Sequence, residues 1–169
     1  MSLHRPATKS QKCPLPPYEV AESIRTRKSQ YVRAVDTKQW DLFISVLHPS
    51  LAASLHNPDG SVSICNGSES RFSRREDYAA FLRKGLEGVL SIHIVGAGEL
   101  QMVRNEGGGG DDRGEGEDEV AAVWAVSYQL GSAEVAEIGG GHYHEVWKEV
   151  DGQWVIASLK FVTSFKKVL

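Results

Sequence analysis

Hydrophobic positions in the first half of the chain recur at the three- and four-residue spacing of amphipathic α-helices. This spacing predicts three helices, at residues 18–35, 37–47 and 75–86. In the first helix Val20, Ile24 and Tyr31 fall near one stripe, whereas most basic residues, Lys28 among them, are expected off it. Pro49 is expected to end the second helix, because proline lacks the backbone N–H that a helix requires.

After Gly88 the pattern changes to segments rich in β-branched and aromatic residues, separated by glycines. These segments predict four long antiparallel strands, at residues 90–103, 118–130, 139–150 and 153–165. Asp151-Gly152 is a two-residue hairpin signal between the last two strands. Helices followed by antiparallel strands predict an α+β fold, with the helices packed on one face of a curved sheet.

Two segments lack the hydrophobic positions that a core requires. Residues 1–17 are polar and rich in proline, which predicts a flexible arm before a folded domain at residues 18–169. Residues 105–118, "NEGGGGDDRGEGED", are expected to form a mobile acidic loop between the first two strands. The acidic residues of this loop would repel a phosphate, so its glycines predict no phosphate-binding loop.

Composition and charge exclude several classes of function. The chain has 169 residues, of which 41% are hydrophobic and 24% charged, the mix of one globular domain. A net charge of -3 offers no broad cationic surface, so neither nucleic acid nor a membrane is an expected partner. No apolar segment resembles a signal peptide or a membrane span of about 20 residues, which predicts a soluble, cytoplasmic protein. The cysteines, Cys13 and Cys65, form no CxxC pair.

Two histidines one residue apart, in the segment "GGGHYHEVWKEVDG", raise the question of a metal site. His142, His144 and Glu149 have the HxHx4E spacing of the cupin metal motif, and two imidazoles with a carboxylate suit a transition metal. The cupin motif, however, has a glycine where Ala136 stands, and no histidine follows His144 to complete a second motif. The sequence therefore favours a site without a metal.

The order of the segments resembles a known family. "YVRAVDTKQWDLFISVLHPSL" is similar to the opening of SnoaL-like proteins in the nuclear transport factor 2-like superfamily, and of scytalone dehydratase. The segments "SRREDYAAFLRKGL", "IHIVGAGEL", "AVWAVSYQL" and "GGHYHEVWKEVDGQWVIASLKF" follow in the family's order, so the resemblance covers about residues 18–165. It implies a cone-shaped barrel, in which N-terminal helices close one end of a curved, mainly antiparallel sheet around an apolar cavity. It also implies chemistry without a cofactor, often on polyketide or terpenoid intermediates.

The resemblance assigns catalysis to Asp36 and His93. The matching aspartate in scytalone dehydratase lies in the cavity and orients a catalytic histidine, which matches His93. Imidazole titrates near neutral pH, and a carboxylate on its other nitrogen fixes the tautomer, so this dyad suits proton transfer beside a carbonyl or to a leaving hydroxyl. Local sequence leaves another interpretation open for each residue. Asp36 can cap a helix together with Gln39, and a single histidine among apolar neighbours is commonly structural.

Other cavity positions depart from scytalone dehydratase. Its cavity tyrosines align with Val35 and Leu55, its second catalytic histidine with about Leu130, and its active-site asparagine with about Tyr143. Those groups bind and polarise the carbonyl of scytalone. Scytalone itself is therefore not the expected substrate.

Strand alternation and the alignment complete the predicted site. Alternation puts Tyr143 and Glu145 on one face of their strand and His142 and His144 on the other, and the alignment favours Tyr143 and Glu145 inside. Glu145 is then a third catalytic candidate, an acid or base if burial makes its neutral form accessible. The candidate substrate-binding residues are Tyr31, Tyr128, Tyr143, Trp40 and Phe161.

These observations predict a cofactor-independent enzyme of secondary metabolism. Its substrate would be a small polycyclic or aromatic carbonyl or hydroxyl compound. Dehydration, isomerisation and cyclisation stay open, because all three begin with a proton moved beside such a group. The alternative is a non-catalytic module of the same fold that binds small molecules or proteins. Long strands at the outer face of a sheet usually pair or pack, which predicts a homo-oligomer, with a dimer favoured.

Overall fold

A computed structural model describes residues 14–103, 119–133 and 136–169 of the chain. Its elements are α1 (Tyr18–Asp36), α2 (Trp40–Ser45), β1 (Leu47–His56), β2 (Ile64–Cys65), β3 (Ser68–Glu69), β4 (Arg71–Phe72), α3 (Arg75–Gly85), β5 (Leu90–Val95), β6 (Glu99–Val103), β7 (Glu119–Gly131), β8 (Ala136–Val150) and β9 (Gln153–Val168). Most of the predicted arm, residues 1–13, and the predicted acidic loop at residues 105–118 lie outside the described residues. None of the described helices is both long enough and apolar enough to cross a membrane.

The predicted first and third helices are confirmed, but the second prediction is wrong over much of its length. Helix α2 has six residues, and Leu47 begins strand β1 instead of ending a helix. Lys38 adopts a left-handed backbone conformation with φ of 58°, and the N–H of Gln39 donates to the carbonyl of Ala34. Helix α1 therefore ends at Asp36, and three residues separate it from α2. Pro49 lies inside β1, where the ladder to β9 is irregular.

Seven of the described strands form one sheet in the order β4-β1-β9-β8-β7-β5, and β6 also pairs with β7. Strand β1 runs parallel to β9, whereas the other ladders are antiparallel. The strand predicted at residues 90–103 is divided into β5 and β6. The division lies next to Gly98, which has φ of 77° and no space for a Cβ beside the ring of Trp124.

The predicted α+β class is confirmed, but the sheet is not a closed barrel. Strands β4 and β5 are its ends, and within the described segments no ladder joins them. The predicted hairpin at Asp151-Gly152 is present, with φ of 50° and 74°, and it joins the two longest strands. Register shifts on the β8–β9 ladder, one of them between Gly140 and Gly141, mark bulges of the kind that bend a sheet.

Candidate active site

A cavity of about 330 Å³ lies between the helices and the inner face of the sheet. Side chains of α1, α3, β1, β5, β7, β8 and β9 form its wall. Much of this wall is apolar, and it includes Val35, Leu55 and Leu130, three of the positions that depart from scytalone dehydratase. A mostly apolar concave surface with a few polar groups is typical of small-molecule sites.

Asp36 and His93 form a hydrogen-bonded pair at the wall of this cavity. His93 Nδ1 lies 2.6 Å from Asp36 Oδ1, and the His93 backbone N–H donates to Oδ2 at 2.8 Å. The Ser91 hydroxyl also donates to Oδ1, at 2.9 Å. The Asp36 and His93 side chains are only 15% and 14% exposed, so water competes little for these contacts. The carboxylate is therefore fixed relative to the ring.

The backbone explains how this pair forms. Asp36 is the last residue of α1, whereas Gln39 is the residue that precedes α2, so the helix-cap interpretation of Asp36 is wrong. Helix α1 packs against β5, and both carboxylate oxygens accept hydrogen bonds from that strand. Alternation along β5 leaves Ile92 exposed and turns Ser91 and His93 toward the helix.

The second ring nitrogen of His93 is the one available to a ligand. A carboxylate only accepts hydrogen bonds, so in the neutral ring Nδ1 carries the hydrogen and Nε2 keeps its lone pair. His93 lines the cavity, and its hydrogen bonds to the described residues involve Nδ1 and the backbone, not Nε2. A ring held in this way can take a proton from a bound compound, and Asp36 stabilises the resulting imidazolium.

Two tyrosine hydroxyls meet at a deeply buried part of the wall. The hydroxyl oxygens of Tyr31 and Tyr78 are 2.9 Å apart, and both residues line the cavity. Burial raises the pKa of both phenols, so both are protonated at neutral pH, and one hydrogen remains for a ligand. Tyr31 was predicted from the sequence as a site residue, whereas Tyr78 was not, although Tyr78 shares the apolar face of α3 with Phe81 and Leu82.

Tyr143 and Phe161 supply an aromatic part of the cavity wall, with their ring planes inclined at 43° to each other. They are paired across β8 and β9, and their ring centroids are 4.9 Å apart. The edge of the Tyr143 ring also meets Tyr31, at 6.0 Å between centroids. Such a surface can stack on a planar ligand.

Tyr128, Glu137 and Lys166 form a second polar cluster in the wall. The Tyr128 hydroxyl donates to Glu137 Oε1 at 3.2 Å, and Lys166 Nζ lies 2.8 Å from Glu137 Oε2. Burial, together with the negative charge of Glu137, raises the pKa of Tyr128 to about 12. Tyr128 was predicted from the sequence as a site residue, whereas its two partners were not, because each lies beyond the predicted end of its strand.

Glu145 does not reach the cavity surface, which corrects its predicted role as an acid or base. Its Oε1 lies 2.5 Å from Lys28 Nζ, and its Oε2 accepts a hydrogen bond from Trp147 Nε1 at 3.0 Å. Both charged side chains are fully buried. Lys28 Nζ also lies 3.6 Å from the ring centroid of Tyr143, so this ion pair lies behind the aromatic wall.

The position of Lys28 corrects a second prediction. Lys28 was expected off the apolar stripe of α1, yet it belongs to the buried side of that helix. It follows Ile24 by four residues and precedes Tyr31 by three, which is the spacing of one helix face. Burial lowers the pKa of Lys28, and the attraction of Glu145 opposes that shift.

Trp40 and the histidines of β8 also lie away from the cavity. Trp40 begins α2 and packs edge-on against Phe43, with 6.0 Å between centroids, so its predicted role in substrate binding is corrected. His142 and His144 are exposed, on the opposite face of β8 from Tyr143. Among the residues that the structure describes, no group of three His, Cys, Asp or Glu side chains is placed to hold a metal ion.

The glycine run before these histidines makes space for neighbouring strands. A Cβ on Gly139 would collide with the hydroxyl end of Tyr128, and one on Gly141 would collide with the carbonyl oxygen of Val162. Glycine is therefore required at Gly139 for the Tyr128 side chain to cross β8 and reach Glu137. The glycines before His142 therefore shape the part of the cavity wall that Tyr128 and Glu137 form.

Residues 18–160 match the family model described as the SnoaL-like domain. The chain belongs to the SnoaL-like domain family. The family resemblance inferred from the sequence is thus confirmed. This SnoaL-like chain is also 37% identical over 155 residues to "Probable cyclase FGR4" of Gibberella zeae. That alignment covers 89% of the chain and 95% of the relative.

Solved structures share the fold at low sequence identity. The structure named "Putative Scytalone Dehydratase", from Novosphingobium aromaticivorans, superposes with a TM-score of 0.66 at 14% identity, over 88% of the SnoaL-like chain and 87% of the other. A hexachlorocyclohexane dehydrochlorinase, LinA type 2, superposes with a TM-score of 0.65 at 14% identity, over 89% of both chains. At these identities the similarity establishes the fold alone.

Proposed function

We propose that this SnoaL-like protein is a cofactor-independent enzyme that moves a proton beside a carbonyl or hydroxyl group of a small aromatic or polycyclic compound. The observation that carries the proposal is the His93–Asp36 pair, which leaves Nε2 of His93 without a hydrogen-bond partner among the described residues, at the wall of an apolar cavity. The cyclase name of the Gibberella zeae relative supports a place in secondary metabolism, and we propose a polyketide- or terpenoid-type compound as the substrate.

The reaction begins when the planar part of the substrate stacks on the ring of Tyr143 or of Phe161. Hydroxyl groups of the wall, such as that of Tyr31, donate a hydrogen bond to a substrate oxygen. His93 then takes a proton from the carbon next to the carbonyl, and Asp36 stabilises the imidazolium. The fate of that proton separates the outcomes. Its return to another carbon is an isomerisation, and its delivery to a leaving hydroxyl is a dehydration. If the enolate carbon attacks a second carbonyl of the same molecule, a ring closes.

The shared first step can be measured without the natural substrate. 2-Tetralone, a bicyclic aromatic ketone, exchanges the protons next to its carbonyl for deuterium in heavy water, and mass spectrometry follows the uptake. The protein is expected to accelerate this exchange well beyond the rate in buffer. If 2-tetralone binds but exchanges only at the buffer rate, the alternative of a non-catalytic binding module replaces the enzyme proposal.

The outer face of the sheet favours assembly with a second copy of the chain. Leu90, Ile92 and Ile94 of β5 are 81%, 53% and 62% exposed, and Phe165 of β9 is 52% exposed. Four large apolar side chains on one sheet face are typical of an interface. We therefore propose that the enzyme is a homodimer through this face.

Ile92→Glu is expected to convert the dimer into a monomer, because a carboxylate would be buried without a partner at the interface. Light scattering coupled to size-exclusion chromatography measures the mass directly. The control is Gln153→Glu, which adds the same charge at an exposed position near the β8–β9 hairpin. A wild-type protein that is monomeric at high concentration would contradict the dimer proposal.

A further inference from the structure

The cluster of Tyr128, Glu137 and Lys166 lies beside His93 in the cavity wall. Tyr128 and His93 are direct partners across the β5–β7 ladder, and their ring centroids are 5.9 Å apart. Both rings therefore face the same part of the cavity. Two groups this close can act on neighbouring atoms of one small ligand.

The arrangement around Tyr128 orients its hydroxyl. Its side chain lies over Gly139, where any Cβ would collide with it, and its hydroxyl donates to Glu137. The Glu137 side chain is only 13% exposed, whereas its partner Lys166 is 56% exposed, so the ion pair lies at the edge of the cavity. An ion pair with one largely exposed partner adds little to stability. The main effect of the Glu137–Lys166 ion pair is therefore on the Tyr128 hydroxyl, which is hydrogen-bonded to Glu137.

We propose that Tyr128 is the catalytic proton donor to an oxygen of the substrate and that Glu137 is its positioning residue. This inference rests on the proposed proton transfer by His93. It adds the group that donates a proton to the carbonyl oxygen, while His93 removes one from the neighbouring carbon. Lys166 balances the charge of Glu137.

The proton transfer is balanced between the two rings. His93 Nε2 takes the proton from the carbon next to the carbonyl, and the electron pair of that C–H bond forms a carbon–carbon double bond. The π electrons of the carbonyl move onto its oxygen, which takes the phenolic proton of Tyr128. An enol, an imidazolium and a phenolate result. The reverse transfers restore both rings, and exchange of the imidazolium proton with the solvent places deuterium on the carbon.

The ion pair keeps Glu137 partnered while Tyr128 donates its proton. When the hydroxyl of Tyr128 turns from Glu137 to the ligand, the carboxylate keeps the ammonium of Lys166 as a partner at 2.8 Å, so the carboxylate is not left unpaired. The negative charge of Glu137 also disfavours a lasting phenolate, which returns the proton to Tyr128 after each turnover.

The test combines the 2-tetralone exchange assay with an NMR titration of tyrosines labelled with carbon-13. The variants are Tyr128→Phe and Glu137→Gln, and the control is Glu149→Gln, the same change at an exposed position of the same strand. Tyr128→Phe is expected to lower kcat for exchange at least about tenfold with little change in KM, and Glu137→Gln to lower it by a smaller factor. Glu137→Gln is also expected to raise the acid dissociation constant of Tyr128 about tenfold, whereas Glu149→Gln changes neither value.

Each result decides between the two claims. If His93-dependent exchange persists at the wild-type kcat in both variants, Tyr128 is not the proton donor, while the proposed function stands. If Glu137→Gln leaves the titration of Tyr128 unchanged, Glu137 does not position that hydroxyl. If the wild-type protein binds 2-tetralone without accelerating exchange, the proposed function fails and this inference fails with it.

Discussion

His93→Ala is expected to lower the rate of protein-catalysed proton exchange in 2-tetralone by about 100- to 10,000-fold, the range typical of a lost general base. The substitution removes Nε2, which is the nitrogen that faces the cavity. The melting temperature and the affinity for the ketone are expected to change little, because the ring lies at the edge of the core and the apolar wall remains. Deuterium uptake, a thermal melt and a binding titration measure the three quantities on one preparation.

The control for this prediction is His144→Ala, which removes an exposed imidazole from the outer face of β8. A second variant, Asp36→Asn, tests the other residue of the dyad. An amide can donate to Nδ1 and so place the ring hydrogen on Nε2, which removes the base without removing the ring. Asp36→Asn should therefore lose most of the exchange activity as well. Wild-type rates in His93→Ala would contradict the proposed role of the dyad.

Lys28→Met is expected to destabilise the protein by about 3–5 kcal/mol, because it leaves the carboxylate of Glu145 buried without its cationic partner. The same substitution removes the cation that lies against the Tyr143 ring. Urea unfolding followed by tryptophan fluorescence measures the free energy of unfolding. Arg71→Met is the control, since its ion pair with Glu69 is more than half exposed and is expected to contribute less than about 1 kcal/mol.

The double variant Lys28→Met/Glu145→Gln separates the charge from the packing. With both charges removed, no ion is buried alone, and the double variant is expected to recover much of the stability that Lys28→Met loses. If Lys28→Met unfolds at the wild-type urea concentration, or if the double variant is no more stable than the single one, the buried ion pair does not have the energetic role described here.

Hydrophobic spacing predicted the elements whose structure depends on neighbours in the sequence. Helices α1 and α3 and the β8–β9 hairpin are of this kind, since each has a clear period or a turn signal. The spacing failed at Leu47, where apolar residues fit a helix and a strand equally well. There the outcome is set by parallel pairing with Ile156 on β9, which no local pattern encodes.

Some features of the candidate site could be predicted from the sequence, and others could not. Strand alternation placed Tyr143 and Glu145 on one face of β8, and the family alignment favoured that face as the inner one, but neither distinguishes a residue at the cavity surface from one behind it. Glu145 lies behind that surface because its carboxylate forms a buried ion pair with Lys28, which lies on the inner face of α1. Glu137 was missed because the strand was predicted to begin at residue 139, whereas pairing with β7 extends β8 back to Ala136.

The most direct test of the proposed proton transfer is nitrogen-15 NMR of the His93 ring, with and without 2-tetralone and with His93→Ala to assign its signals. The structure predicts that the neutral ring carries its hydrogen on Nδ1, and that binding of the ketone shifts the resonance of Nε2 more than that of Nδ1. A hydrogen on Nε2, or two ring signals that do not respond to the bound ketone, would contradict a base that faces the ligand.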